Sequence, residues 1–166
     1  MRDPMQHIVR RDNAPRLEQG LTKLELSLAG SLHPLRVLVA DDDQTTGDLL
    51  AAITKRPGYE VVSVSDGRQA YRLLKSDCNF QVAVFNVTMP HLKGVDMARH
   101  MKTEKRLMRI PVVVVGGDHD LKTVSECFAA GAIAFLPKPL DLNLLQRTLR
   151  IAMDGGVCRK EIQQAA

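Results

Sequence analysis

Apolar and polar residues follow two periods along this chain, and the periods take turns. Short runs rich in β-branched residues recur at Leu35–Ala40, Tyr59–Val64, Gln81–Phe85, Pro111–Val115 and Ile133–Leu136. Each is too short for an ordinary helix and reads as a strand. The run at 111–115 is apolar throughout, as a central parallel strand covered on both faces should be. Between the runs, apolar positions fall at helical spacing: Leu49, Leu50 and Ile53, then Ala70, Leu73 and Leu74, then Val95, Met97, Ala98 and Met101. These predict helices over Asp43–Lys55, Gly67–Lys75, Gly94–Arg106, Leu121–Ala130 and Asp141–Met153. The boundaries carry their own chemistry. Asp66 and Asp141 are N-cap residues, Pro57-Gly58 breaks the first helix, Gly131 closes the fourth, and Gly155-Gly156 is expected to end the last.

Five strands therefore alternate with five helices. That alternation predicts an α/β fold: a doubly wound, five-stranded parallel sheet with helices on both faces. Ahead of it, leucines at 17, 21, 24 and 28 mark one helical face, weakened by Gly20 and Ser27. A helix so short needs a partner surface, either for packing or for docking. The expected organisation is a partly helical extension over 1–34, the α/β domain over 35–153 and a flexible polar tail over 154–166.

Composition narrows the class. Hydrophobic residues are 45% of the 166 and charged residues 25%, enough for a core in a soluble domain. No apolar run approaches the roughly 20 residues of a membrane span. The N-terminus lacks the apolar core of a signal peptide, so a cytoplasmic location is expected. Cys78, Cys127 and Cys158 are odd in number and widely spaced, which reads as reduced thiols. The net charge of +4 lies on the two ends of the chain, +2 over 1–36 and +2 over 147–166; thirteen Lys/Arg balance thirteen Asp/Glu between them. Basic arms can meet nucleic acid, but an excess of two charges on each argues for solubility, and neither nucleic acid nor membrane is expected as a partner.

The chemistry collects at three strand ends: Asp41-Asp42-Asp43 after the first, Val84-Phe85-Asn86-Val87-Thr88-Met89-Pro90 at the third, and Leu136-Pro137-Lys138-Pro139 at the fifth. In open parallel sheets the carboxyl edge is where ligands bind. Paired carboxylates at a strand end repel unless a cation neutralises them, and they suit Mg²⁺. With Gly94 beyond the Met-Pro, this set resembles the receiver domain of two-component response regulators over roughly Leu35 to Met153, a flavodoxin-like (βα)5 fold.

The resemblance implies roles and also exposes departures. Asp41 and Asp42 match the family's Mg²⁺-holding acids, with Asp42 the more direct, while Asp43 fits a helix cap. Lys138 matches the phosphoryl-contacting lysine and is expected beside Asp41 and Asp42. The Lys138-Pro139 bond is expected to be cis. Asn86 stands where the family has its phosphoacceptor aspartate. A carboxamide has no anionic oxygen to act as nucleophile, though it keeps an acceptor and two donors. Gly116 stands where the family has a switch hydroxyl, and should leave a more flexible loop. Phe135 lies at the switch-aromatic position and is expected to be simply packed. The sequence thus predicts a stand-alone pseudo-receiver: not an enzyme, needing no cofactor and binding Mg²⁺ weakly at most. It would act through a protein partner (kinase, regulator or output protein) or by self-association, over its last two strand–helix units and the N-terminal arm. Two alternatives stand beside it: a conventional phosphorelay receiver whose acceptor was changed to Asn86, and a nucleic-acid-associated regulator using basic arms. Arg99, Lys102, Arg106 and Arg109 read as a solvated face.

Overall fold

The structure is a computed structural model that describes residues 34–54, 58–117 and 120–164. The predicted N-terminal helix lies outside them. Strands β1 (Leu35–Ala40), β2 (Tyr59–Val64), β3 (Val82–Asn86), β4 (Val112–Gly116) and β5 (Ala134–Pro137) alternate with helices α1 (Gln44–Thr54), α2 (Gly67–Ser76), α3 (Gly94–Thr103), α4 (Leu121–Ala129) and α5 (Leu142–Gln164). The sheet is parallel throughout, in the order β2-β1-β3-β4-β5. The chain moves outward from β1 to β2, then crosses back to the other side of β1. The crevice between the ends of β1 and β3 is therefore the point where the winding reverses.

The three central strands are buried on both faces, and alternate side chains feed two cores. Leu38, Ala40, Ala83, Phe85, Val112 and Val114 point to one face, which Ala70 and Leu74 of α2, Met97, Ala98 and Met101 of α3, and Cys127 of α4 cover. Val37, Val39, Val82, Val84, Val113 and Val115 point to the other, against Ile53 of α1 and Leu145, Leu149 and Ala152 of α5. β3 and β4 are buried at every position, and this accounts for their near-continuous apolar sequences.

Two helix ends differ from expectation. α3 stops at Thr103, not Arg106. Glu104 turns extended, and its carbonyl accepts from the amides of Leu107 and Met108 at 3.0 and 2.9 Å. That turn delivers Leu107 and Ile110 into the core, 1% and 2% exposed. At the other end, α5 continues through Gly155-Gly156 to Gln164. Glycine weakens a helix by about 1 kcal/mol without ending it, whereas Gly131, after α4, is held in the left-handed region at φ +99°.

Candidate functional site

Four elements converge on the crevice at the carboxyl edge. Asp41 to Asp43 leave β1, Asn86 ends β3, Gly116 ends β4, and Lys138 follows β5. The bend after Asn86 is tight because Gly94 lies against the Asn86 carbonyl oxygen, where any Cβ would collide. The loop closes with the Gly94 amide on the Val87 carbonyl at 3.3 Å. The Lys138-Pro139 peptide is cis, as expected from the resemblance.

Asn86 is 5% exposed and sits between the acids. Its Nδ2 donates to Asp41 Oδ1 at 2.9 Å and to Asp42 Oδ1 at 3.2 Å. One amide therefore supplies both donors that two neighbouring carboxylates need. Asp41 is the buried member, its side chain 3% exposed, and its Oδ1 also accepts from the Asp43 amide at 2.9 Å. Its Oδ2 accepts no well-directed hydrogen bond, and its compensation is the Lys138 ammonium 3.1 Å away. Such an ion pair relies on charge more than on direction.

Lys138 departs from its expected place in one respect. It reaches Asp41 and, at 3.2 Å, Asp43 Oδ2, with no contact to Asp42. Asp42 instead is exposed and bonded through Asn86. Asp43 was expected only to cap α1, and it does so, accepting from the Thr45 amide at 2.9 Å on Oδ1. Its second oxygen faces the lysine. The Thr45 amide, and after it Lys138, hold the Asp43 carboxyl below the usual aspartate value. A carboxylate has two oxygens and can cap and pair at once, a signal the triple aspartate already carried.

At the β4 end the glycine is not a flexibility device. Gly116 is the buried last residue of the strand, beside Pro137 of β5. A Cβ there would lie 2.8 Å from Val87 Cγ2 and 3.2 Å from Phe135 Cζ. Phe135 thus leans over the position where a side chain would stand, and joins the core through its flank.

Among the described residues no group of three or more His, Cys, Asp or Glu could hold an ion. An Asn86 donor occupies one oxygen of each of Asp41 and Asp42, and Lys138 stands on the other oxygen of Asp41. A divalent ion at these carboxylates would have to displace those donors.

The likeness to known proteins agrees with this geometry. The response regulator receiver domain family matches residues 37–150. The two-component response regulator-like APRR7 of Arabidopsis thaliana is 31% identical over 116 residues, 69% of this chain and 16% of that protein. The first curated relatives matched are much longer, and the chain spans less than a fifth of them. Among solved structures, the receiver domain of a signal transduction histidine kinase from Syntrophus aciditrophicus superposes with a TM-score of 0.66 at 27% identity, over 72% of this chain and 90% of that one. The receiver domain of sensor histidine kinase PA1611 from Pseudomonas aeruginosa, with magnesium coordinated in its active-site cleft, has a TM-score of 0.66 at 23% identity, over 73% and 98%. The chain belongs to the response regulator receiver domain family, and its fold is the CheY-like, flavodoxin-like receiver fold of two-component signalling.

Proposed function

We propose that this chain is a degenerate receiver that signals through protein–protein contact and not through an aspartyl phosphate. The observation that carries this reading is the Asn86 amide. It lies at the crevice floor, where the family's acceptor would stand, and donates to both neighbouring acids. A phosphoryl group needs an anionic oxygen to attack it, and a donor NH₂ offers none. The amide satisfies an oxygen of each acid, and the Lys138 ammonium supplies positive charge beside Asp41, so Mg²⁺ is not required and binds weakly. The domain carries out no catalysis of its own and works in the cytoplasm. No helix among the described residues is long and apolar enough to cross a membrane.

Contact with a kinase, another regulator, an output protein or a second copy falls to the last two strand–helix units. Among the described residues, Leu121, Phe128, Ile133, Leu144 and Ile151 are the large apolar side chains exposed there. Amide NMR tests the chemical half of the proposal. The wild-type protein is titrated with Mg²⁺ and then beryllofluoride, a phosphoryl mimic, beside an Asn86→Asp variant. Silence in the wild type with a response in Asn86→Asp is expected. Wild-type shifts spreading from the crevice into α4 would overturn the reading and restore a ligand-operated switch.

A further inference from the structure

The balance of thirteen cations and thirteen anions over 37–146 hides a division of charge. Residues 67–109, which hold α2, β3, α3 and the turns after it, carry nine Lys/Arg and three Asp/Glu, a net +6. The remainder of 37–146 carries four and ten, a net −6. α2 and α3 cover the same sheet face and touch: the rings of Tyr71 and His100 lie 4.9 Å apart, and Arg106 Nη2 reaches Cys78 Sγ, just beyond α2, at 3.6 Å.

The three acids of the stretch are each engaged. Asp77 pairs with Arg36 at 2.6 Å and Asp96 with Arg99 at 3.0 Å, and Glu104 Oε2 lies 3.3 Å from His100 Nε2. Arg68, Arg72, Lys93, Lys105 and Arg109 are exposed, and none meets an acidic group among the described residues. On α2, Arg68, Arg72 and Lys75 follow one another on one side of the helix, about 6 and 4.5 Å apart along its axis. That ten-residue helix contains no acid at all.

We propose that the α2–α3 face binds the phosphate backbone of duplex nucleic acid without reading its sequence. Two observations favour this occupant, one over a protein and one over a single strand. Protein interfaces need an apolar centre, and Met108 is the one large hydrophobic residue exposed over 67–109; the others lie on and beside α4, β5 and α5. Single strands are held by stacking on exposed rings, and here Tyr71 is half-buried against His100 and under Lys75. What remains is a set of unpaired cations on α2 (Arg68, Arg72) and on the segments either side of α3 (Lys93, Lys105, Arg109), and free cations are how proteins engage phosphates.

The test uses the full chain and a labelled 20-base-pair duplex of arbitrary sequence, read by fluorescence anisotropy. At 50 mM NaCl, binding in the micromolar range is expected. Five phosphate contacts predict a salt slope of about −4.5 and so roughly a 500-fold fall by 200 mM. Arg68→Glu/Arg72→Glu should weaken binding tenfold or more and flatten the slope by about two. Lys105→Glu/Arg109→Glu should do the same from the neighbouring segment. Lys122→Glu/Arg147→Glu, an equal change of net charge on α4 and α5, should leave affinity within about twofold. All these residues are exposed, so unchanged circular dichroism and thermal midpoints are required of each variant. No binding at 50 mM overturns the proposal. So does an equal loss in the α4–α5 variant, which would reduce the effect to net charge. Tighter binding to polyglutamate or to phosphatidylserine vesicles than to duplex would assign the face to an acidic protein or a membrane and overturn it too.

Discussion

An amide between two aspartates changes the energetics of the crevice as well as its reactivity. Asn86 gives two hydrogen bonds to ionised acceptors while 5% exposed. Asn86→Asp removes both donors and places a third carboxylate within hydrogen-bond distance of the first two. The expected cost at pH 7 is about 2–4 kcal/mol, from two charge-assisted hydrogen bonds lost and like-charge repulsion gained. The introduced acid should have its folded-state pKa raised. Its protonated form then relieves the repulsion, so the variant regains stability at acid pH and loses it as pH rises through that value. Millimolar Mg²⁺ should restore the thermal midpoint of Asn86→Asp and leave the wild type unmoved. Equal midpoints for the two proteins without metal would show that the amide holds nothing together. Most of this site was legible in the sequence, because strand ends in a parallel sheet must converge and Asp41, Asp42, Asn86 and Lys138 all occupy them. The second oxygen of Asp43 was missed: a residue already assigned to a helix cap was given no further partner.

At the scale of elements, the helix starts were the most legible feature, and the structure shows their chemistry. Asp66 accepts from the Gln69 amide at 2.8 Å, Asp120 from Thr123 at 2.7 Å, and Asp141 from Leu144 at 2.7 Å. The backbone N–H bonds hold the carboxyls of Asp66 and Asp120 below their ordinary value of 3.8. A depressed folded-state pKa gives stability that is present above the unfolded value and lost as pH falls through the folded one. The urea midpoint should therefore change little above the ordinary aspartate range and decline below pH 3.8. Asp66→Asn/Asp120→Asn should keep its neutral-pH midpoint, since asparagine caps as well as aspartate, and should show a shallower acid decline. An unchanged acid decline would place the sensitivity elsewhere. Helix ends were less legible. α3 stops early because the core wants Leu107 and Ile110, a tertiary demand that periodicity does not reveal. α5 runs on through Gly155-Gly156 because glycine is a weak helix former and not by itself a terminator.

The whole molecule was readable because its parts agree: alternating periods, apolar central strands and acidic strand ends all specify one doubly wound sheet. What the sequence concealed is how the two departures at the crevice are joined. Gly116 and Asn86 end adjacent strands, and Asn86 pairs in register with Val115, the residue before Gly116. The missing side chain at 116 is matched by Phe135 and Val87, which fill its space. Restoring the acid alone therefore leaves the β4 end packed shut and without a hydroxyl. In the resembling family, that hydroxyl bonds the phosphoryl group and carries the change outward. Asn86→Asp with Mg²⁺ and beryllofluoride should accordingly shift amides at 41–43 and 86–94 and leave α4 quiet. Adding Gly116→Thr should push Phe135 aside at a cost of about 1–3 kcal/mol, the usual penalty for overpacking. With Mg²⁺ and beryllofluoride bound, the double variant should also move amides across 121–129. If Asn86→Asp alone moves α4 as far as the double variant does, Gly116 does not block the path, and the degeneracy reduces to one missing carboxylate.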